Sequence, residues 1–324
     1  MANFIGFDLG GTNLSAAIVD TDTGSLTGYL RAPSLAHEGE AAVIARMIKL
    51  INAVIAASDI HKNELKGIGI GVPGVLDLDH GVVLFLPNLP GTWPNVPLAE
   101  QITQATGLPT WLLNDARSMT LAEWIFGAGR GVDTMACFTI GTGIGGGLVI
   151  NGKLHLGVDG TGGELGHQIV DIHGPVCGCG SQGCLETFAS GSAIRAHGIK
   201  AVTQGLSTSI GRLVDYDLNR ITPEVIHKAA REGDKIALDI YKRAGGYIGI
   251  AISNVMVTIG PRKVVIGGGV SRAGDLLLNP IRQTVAERVF MMPKERVEIV
   301  TAQLGTEAGL IGAAVWAREQ YSAG

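Results

Sequence analysis

Three of the four cysteines in this 324-residue chain lie within eight positions of one another, in a glycine-rich segment that also contains a histidine. Zn²⁺ prefers thiolate and imidazole ligands in a tetrahedral set, and a set closed by three cysteines and one histidine leaves no position for an activated water. The sequence therefore predicts a structural zinc ion in residues 163–186. Its ligands would be His167, Cys177, Cys179 and Cys184.

The alternatives for these cysteines are a disulfide or reduced surface thiols. The sulfur atoms of a Cys-x-Cys pair close only a strained ring, and nothing else in the chain is typical of a secreted protein. A zinc ion would fix the two ends of the segment relative to each other, so Glu164 and Glu186 become candidate ligand-binding residues. The remaining cysteine, Cys137, lies in an apolar run and is predicted to be a buried strand residue.

Three short glycine-rich stretches at the ends of predicted strands could bind phosphate. Glycine removes the side chain that would keep an anion away, and it accepts backbone angles that point successive N–H groups into one concavity. Asp8 could hold Mg²⁺ through water, and Thr12 and Thr142 add hydroxyl groups. The combination predicts a nucleoside triphosphate, although any one turn alone could be a tight turn without a ligand. The stretches are Gly10-Gly11-Thr12, Gly141-Thr142-Gly143 and Gly267-Gly268-Gly269.

Two other nucleotide-binding motifs do not fit. The sequence contains no G-x-x-x-x-G-K-[ST], so the chain is not a P-loop enzyme. Gly141-x-Gly143-x-x-Gly146 matches the dinucleotide fingerprint, which requires a helix after the turn. Residues 148–153 instead predict a strand and an Asn-Gly hairpin turn, which argues against an NAD site.

Asn114 and Asp115 follow a predicted strand at its carboxyl end, which is where ligands bind in an α/β sheet. Asp115 has two interpretations. It could be an acid–base residue, or it could cap the helix predicted to follow, since aspartate is a favourable N-cap. The residues alone leave both interpretations open.

The apolar pattern predicts an alternation of strands and helices that would position these residues. The first and second glycine turns each join two apolar runs as a β-hairpin, which suggests two related lobes. The predicted strands are 3–8, 14–20, 65–72, 110–113, 135–140, 148–151, 263–266 and 297–301, and the predicted helices are 40–58, 97–107, 118–126, 223–232, 234–257 and 305–318.

Composition and charge exclude several classes of protein. The length and the hydrophobic content of 46% predict a globular protein of about two domains. A net charge of −4 with scattered basic residues argues against binding to nucleic acid or to an anionic membrane. The longest apolar run, 247–260, is too short to span a bilayer, and no cationic leader precedes Asp8. We therefore expect a cytoplasmic protein.

Taken together, the motifs resemble those of the ROK family (repressors, open reading frames, sugar kinases) within the actin-like ATPase superfamily. The resemblance covers essentially the whole chain. It rests on Asp8-Leu-Gly-Gly-Thr12, Gly71-Val-Pro-Gly74, Asn114-Asp115-Ala116, Gly141-Thr142-Gly143, Gly163-Glu164-Leu-Gly-His167, Cys177-Gly-Cys-Gly180, Cys184-Leu-Glu186 and Gly267-Gly-Gly269.

The resemblance implies an α/β protein with the two-lobed actin-like ATPase (ribonuclease H-like) fold and a ligand cleft between the lobes. The implied domains are residues 1–114 with 305–324, and 115–304. The implied reaction is phosphoryl transfer from ATP, with Mg²⁺, to a sugar hydroxyl, and Asp115 would be the base. The implied sugar ligands are Gly74, Asn88, Asn114, Asp115, Glu164, His167 and Glu186, and the implied nucleotide ligands are Asp8, Gly10, Gly11, Thr12, Gly141, Thr142, Gly143, Gly267, Gly268 and Gly269.

Within the family, the stretches 86–93 and 184–186 look most like the branch that phosphorylates the 6-hydroxyl of glucose. The alternatives are a kinase for N-acetylglucosamine or N-acetylmannosamine, a fructokinase or, outside enzymes, a sugar-sensing regulator. Repressors of the family carry a DNA-binding domain before the first hairpin, and we expect none here because seven residues precede Asp8. Relatives are commonly dimers or tetramers, so a homodimer or homotetramer is expected.

Overall fold

The computed structural model describes residues 2–86, 89, 91 and 93–323. The chain forms two compact units: Met1–Gly131, Leu154–Gly163 and Gln303–Gly324 make the first, and Val132–Lys153 and Glu164–Ala302 make the second. The strands are β1 (Asn3–Leu9), β2 (Asn13–Asp20), β3 (Ser25–Pro33), β4 (Leu65–Val72), β5 (Val75–Asp77), β6 (Val82–Phe85), β7 (Thr110–Asn114), β8 (Met135–Ile140), β9 (Ile144–Ile150), β10 (Lys153–Leu154), β11 (Lys263–Gly267) and β12 (Glu298–Thr301). The α-helices are α1 (Glu40–Ala56), α2 (Leu98–Thr106), α3 (Asp115–Ile125), α4 (Glu186–Ala189), α5 (Gly191–Thr203), α6 (Pro223–Arg231), α7 (Lys235–Ile259), α8 (Asp275–Arg288) and α9 (Ala308–Ala323).

The first unit is organised on a five-stranded mixed sheet in the order β3-β2-β1-β4-β7. β1 and β2 form the antiparallel hairpin that the sequence predicts, β4 runs parallel to β1, and β7 runs parallel to β4. The register places Asp8 beside Gly71, and Val72 beside Asn114. Because parallel strands end at the same edge of a sheet, this edge collects the three polar segments that follow β1, β4 and β7.

The C-terminal helix α9 packs directly on this sheet because glycines remove the side chains that would keep the two apart. A β-carbon added at Gly69 in β4 would collide with the backbone of α9, and one at Gly312 in α9 would collide with the carbonyl group of Ser118 in α3. The indole nitrogen of Trp316 donates a hydrogen bond to the carbonyl oxygen of Leu112 at 2.8 Å. α9 therefore contacts both the sheet and α3.

Hydrogen bonds to the buried carboxylate of Glu123 in α3 link the C-terminal segment to the rest of the first unit. The carboxylate accepts hydrogen bonds from the backbone N–H groups of Ala128, Gln303 and Leu304 at 2.8–3.1 Å. The division of the chain consequently falls after Gly131, whereas the boundary expected from the sequence lies before Asp115. The difference arises because α3 packs against α9 and so stays with the first sheet.

The second unit repeats the topology of the first on a sheet in the order β10-β9-β8-β11-β12. β8 and β9 form an antiparallel hairpin, and β11 and β12 are added in parallel, as β4 and β7 are in the first unit. Cys137 is fully buried in β8, as predicted. The repeated strand order confirms the prediction of two related halves.

The structure also contains elements that the sequence analysis missed, namely β3, β5, β6, α4, α5 and α8. Two predicted elements begin earlier than expected, since β9 starts at Ile144 and α3 starts at Asp115. Among residues 2–86, 89, 91 and 93–323, no helix combines the length and the apolar character that a bilayer crossing requires.

Candidate active site and metal centre

The four predicted zinc ligands come together in the second unit. Nδ1 of His167 lies 3.7 Å from Sγ of Cys177, Sγ of Cys179 lies 3.8 Å from Sγ of Cys184, and the four ligand atoms all lie within 4.8 Å of one another. In a tetrahedral site with zinc–sulfur bonds of about 2.3 Å, the ligand atoms are separated by about 3.8 Å. The residues therefore fit a zinc ion, and all four cysteines of the chain are free of disulfide bonds.

Tight turns rather than helices present the cysteines. The N–H of Cys177 donates to the carbonyl oxygen of Ser181 at 2.7 Å, and the N–H of Gly180 donates to that of Cys177 at 2.9 Å. Burial raises the pKa of Cys177, and it raises the pKa of Cys184 to about 12, so these thiols keep their protons at neutral pH unless a cation stabilises the thiolate. The buried sulfur atoms are suited to coordination rather than to nucleophilic chemistry.

The turn from Gly141 to Gly143 joins β8 to β9 and keeps two N–H groups for a ligand. The carbonyl groups of Gly141 and Thr142 accept hydrogen bonds from the N–H groups of Gly191 and Ser192, at 2.8 and 3.2 Å, at the start of α5. The N–H groups of Thr142 and Gly143 have no hydrogen-bond partner among the described residues. Successive unpaired N–H groups form a concavity that can bind an anion.

The third glycine turn lies next to the second. Gly267, which ends β11, pairs with Thr139 in β8. Gly268 has a φ of 84°, in the left-handed region, and packs so closely on Ile140 that a β-carbon there would collide with its backbone. The second unit therefore brings two of the predicted phosphate-binding turns to one edge of its sheet.

The turn from Gly10 to Thr12 in the first unit is built in the same way as the second turn. Ser34 donates its hydroxyl to the carbonyl oxygen of Gly11 at 2.7 Å and its N–H to that of Thr12 at 2.9 Å. The N–H groups of Gly11 and Thr12 have no partner in the part of the chain that the structure describes. Ser34 could not be predicted from the sequence, because a serine 22 residues after Thr12 gives no signal until the pairing of β2 with β3 is known.

At the carboxyl edge of the first sheet, the carboxylates of Asp8 and Asp115 repel each other. Burial and the charge of Asp115 raise the pKa of Asp8 to about 7, and the guanidinium group of Arg31 opposes this rise only in part. A nearby cation would offset this repulsion. The pair is therefore suited to binding a divalent cation.

Asn114, and not Asp115, is the N-cap of α3. Its Oδ1 accepts hydrogen bonds from the N–H groups of Ala116 and Arg117 at 3.1 and 3.3 Å, and its amide group donates to the carbonyl oxygen of Gly74 at 3.3 Å. Asp115 is the first residue of the helix, and its Oδ1 also accepts from the N–H of Ala116, at 2.8 Å. Asn114 therefore fills the capping role that the sequence analysis left open for Asp115.

The remaining predicted sugar ligands lie at the ends of the metal segment, with one exception. Glu186 begins α4, and its Oε2 accepts a hydrogen bond from the N–H of Ile144 at 2.7 Å. Glu164 is exposed and precedes the 3₁₀ turn Leu165–His167, which presents the histidine ligand. Asn88 lies outside the described residues. Ile144 was not singled out in the sequence, because its contribution is a backbone N–H group.

The repeated sheet order and the matching hairpin turns define a protein with the actin-like ATPase fold. The sequence pattern of the ROK family matches residues 4–320. The chain belongs to the ROK family.

Three relatives show where in the family the similarity lies. The chain is 38% identical to the glucokinase of Thermotoga maritima over 98% of this chain and 97% of that protein. It is 31% identical to the xylose repressor of Caldicellulosiruptor bescii over 96% of this chain and 77% of that protein. Its structure matches that of a ROK family glucokinase from Streptomyces griseus in complex with glucose and AMPPNP, with a TM-score of 0.83, 34% identity, and coverage of 98% of this chain and 100% of that one.

The raised pKa of Asp8 predicts a pH-dependent cost to stability. The folded state holds this proton up to a pKa of about 7, whereas the ordinary value is 3.8, so the folded state binds more protons across that window and wild-type stability falls as pH rises through it. Asp8→Asn removes this cost. We expect the free energy of unfolding of the variant, measured in urea without ligands, to exceed that of the wild type by a margin that grows between about pH 4 and pH 7. Asp59→Asn, at an exposed position of the same unit, is the control and should show no such pH-dependent margin. A difference in unfolding free energy between Asp8→Asn and the wild type that does not change with pH would contradict the prediction.

The cluster geometry predicts about one zinc ion per chain in protein purified without chelators, as measured by elemental analysis. Cys179→Ser should lose the metal, because a hydroxyl group replaces a thiolate ligand. Cys137→Ser is the matched control, since this buried cysteine is not part of the cluster, and it should keep the metal. Wild-type protein without metal, or a Cys179→Ser variant with a full equivalent, would show that the cluster is not the binding site.

Proposed function

We propose that this chain is an ATP-dependent glucokinase, which transfers the γ-phosphate of ATP to the 6-hydroxyl of glucose. The observation that carries the proposal is the similarity, at 34% identity and a TM-score of 0.83, to a glucokinase structure that contains glucose and AMPPNP. The geometry supports it, because the chain combines an acid pair, turns with unpaired N–H groups, and a Cys/His cluster with an acid at each end of its segment.

In this proposal Asp115 is the general base. A sugar hydroxyl is a poor nucleophile, and a carboxylate that accepts its proton during in-line attack on the γ-phosphate permits direct transfer without a phosphoenzyme. Asn114 caps α3, so the helix does not require Asp115 as its cap. The carboxylate lies at the edge where the polar segments after β1, β4 and β7 meet.

The proposed nucleotide ligands in the first unit are the N–H groups of the Gly10–Thr12 turn, and those in the second unit are the N–H groups of the Gly141–Gly143 turn, with Gly267–Gly269 beside it; the N–H groups of Gly11, Thr12, Thr142 and Gly143 have no partner among the described residues. Asp8 would hold Mg²⁺ through water, because that ion usually keeps much of its hydration shell. Mg²⁺ supplies positive charge that offsets the phosphate oxygens. A cation near Asp8 also offsets the repulsion from Asp115, which is one cause of the raised pKa of Asp8.

The sugar would be held by fixed donors and acceptors, which a polyol needs in order to be distinguished from its isomers. Nδ1 of His167 faces Cys177, so Nε2 is the nitrogen that can meet a sugar hydroxyl, and a structural zinc ion would fix the orientation of the ring. The full set of proposed sugar ligands is Gly74, Asn88, Asn114, Asp115, Glu164, His167 and Glu186.

The sequence leaves two alternative functions open, and the comparisons support one of them. Phosphorylation of fructose or of an N-acetylhexosamine is the alternative within the kinases of the family. A sugar-sensing regulator is the alternative outside enzymes, and the identity of 31% to a xylose repressor favours it. The identity of 38% to a glucokinase over nearly the full length of both chains favours an enzyme over a sensor.

A substrate panel tests the proposed function. The purified protein would be incubated with Mg²⁺ and ATP and with glucose, mannose, fructose, N-acetylglucosamine or N-acetylmannosamine, and ADP release would be followed. We expect the highest kcat/KM with glucose, and glucose 6-phosphate as the product by NMR. A higher kcat/KM with another sugar would identify that sugar, and not glucose, as the preferred substrate. No turnover with any of the sugars would favour the sugar-sensing regulator.

Replacement of the proposed base tests the mechanism. Asp115→Asn should lower kcat by about 10²- to 10⁴-fold, the usual contribution of a positioned base, while the Kd for glucose changes little. The helix should persist in circular dichroism, since the Asn114 cap is intact. Near-wild-type turnover in this variant would exclude Asp115 as the base.

A further inference from the structure

The two ends of the metal segment contact the backbone of one residue, Ile144, which is the first residue after the Gly141–Gly143 turn. On one side, Oε2 of Glu186 accepts a hydrogen bond from the N–H of Ile144 at 2.7 Å. On the other, Gly166 lies so close to the carbonyl group of Ile144 that a β-carbon there would collide with it. Gly166 is next to the ligand His167, and Glu186 is two residues after the ligand Cys184.

The same stretch of chain also fixes the rest of the turn. A β-carbon at Gly143 would collide with Oε2 of Glu186, so this carboxylate and the turn are in close contact. The residues that follow α4, Gly191 and Ser192, donate their N–H groups to the carbonyl groups of the turn. Every peptide of the turn therefore has a neighbour in the chain between the histidine ligand and the start of α5.

We propose that the Cys/His metal centre positions the phosphate-binding turn through Ile144, with Glu186 as the positioning residue. This inference rests on the proposed function in so far as the turn binds nucleotide. With a metal bound, Gly166 and Glu186 would be held at a fixed separation, with the N–H of Ile144 against Glu186 and its carbonyl group against Gly166. The N–H groups of Thr142 and Gly143 then stay aligned for a phosphate.

The physical basis is preorganisation. Residues 163–186 have little regular secondary structure. Without a metal ion to cross-link this segment, its two ends would no longer be held in place against the backbone of Ile144. A hydrogen bond to a charged acceptor contributes more than a neutral one, and its loss leaves the N–H of a buried residue without a partner. A turn that must order itself when phosphate binds has a lower affinity than one that is already ordered.

A pair of variants at Glu186 separates its proposed role in sugar binding from its proposed role in positioning the turn. The Kd of Mg²⁺-AMPPNP would be measured by titration calorimetry without sugar, so that sugar contacts do not contribute. Glu186→Gln keeps an acceptor oxygen for Ile144, whereas Glu186→Ala removes it. We expect Glu186→Ala to raise the Kd about tenfold or more and Glu186→Gln to raise it much less. Equal effects of the two variants, or no effect of Glu186→Ala, would overturn the inference.

Removal of the metal provides an independent test. Cys179 is exposed and belongs to the cluster, so Cys179→Ser should raise the nucleotide Kd and speed hydrogen exchange of the Ile144 amide. Cys137→Ser, which keeps the cluster, should do neither. Unchanged nucleotide affinity and unchanged hydrogen exchange in the metal-free protein would overturn this inference but not the proposed function. Wild-type protein that binds no nucleotide would overturn both.

Discussion

Close backbone packing of the C-terminal helix is the constraint on which the first unit depends. Gly6 and Gly69 in the sheet and Gly312 in α9 lie so near to neighbouring carbonyl groups that any side chain there would collide with them. The contact brings α9 onto β1 and β4 and brings α3 onto α9, and these elements carry Asp8 and Asp115. The separation of the two acids is therefore set by residues that are remote from them in the sequence.

The two units use one design for their hairpin turns and secure it by different means. In each turn, carbonyl groups form structural hydrogen bonds and two N–H groups have no partner among the residues that the structure describes. The first unit needs only Ser34, which follows a strand of the same sheet. The second unit uses the start of α5 and the ends of an irregular segment, and such a segment is costly to order. A metal ion bound by the Cys/His cluster would lower that cost by linking His167 to Cys184.

The hairpins, most helices and the metal ligands could be predicted because their signals are local in the sequence. β3 could not, since it alternates exposed and half-buried residues without a strongly apolar face, and α8 contains Pro280, which normally argues against a helix. The bonds from Glu123 to the C-terminal segment join residues that are remote in sequence, and a single sequence contains no signal for them. The sequence could not show which of Asn114 and Asp115 caps α3, because both residue types are favourable N-caps. Only the observed start of the helix decides between them.

The stability of α3 does not require an aspartate at position 115, so the reason for an acid there lies in its interaction with Asp8. At the first position of α3 its charge gains from the helix dipole, and it accepts a hydrogen bond from Ala116, but Asn114 already accepts from the same N–H group. Burial and the charge of Asp115 raise the pKa of Asp8, so folding with both acids ionised costs free energy. A neutral residue at position 115 would remove the repulsion without loss of the Asn114 cap. Acids placed together at a cost to stability are typical of sites where charge serves binding or proton transfer, and this supports the proposed role of Asp115.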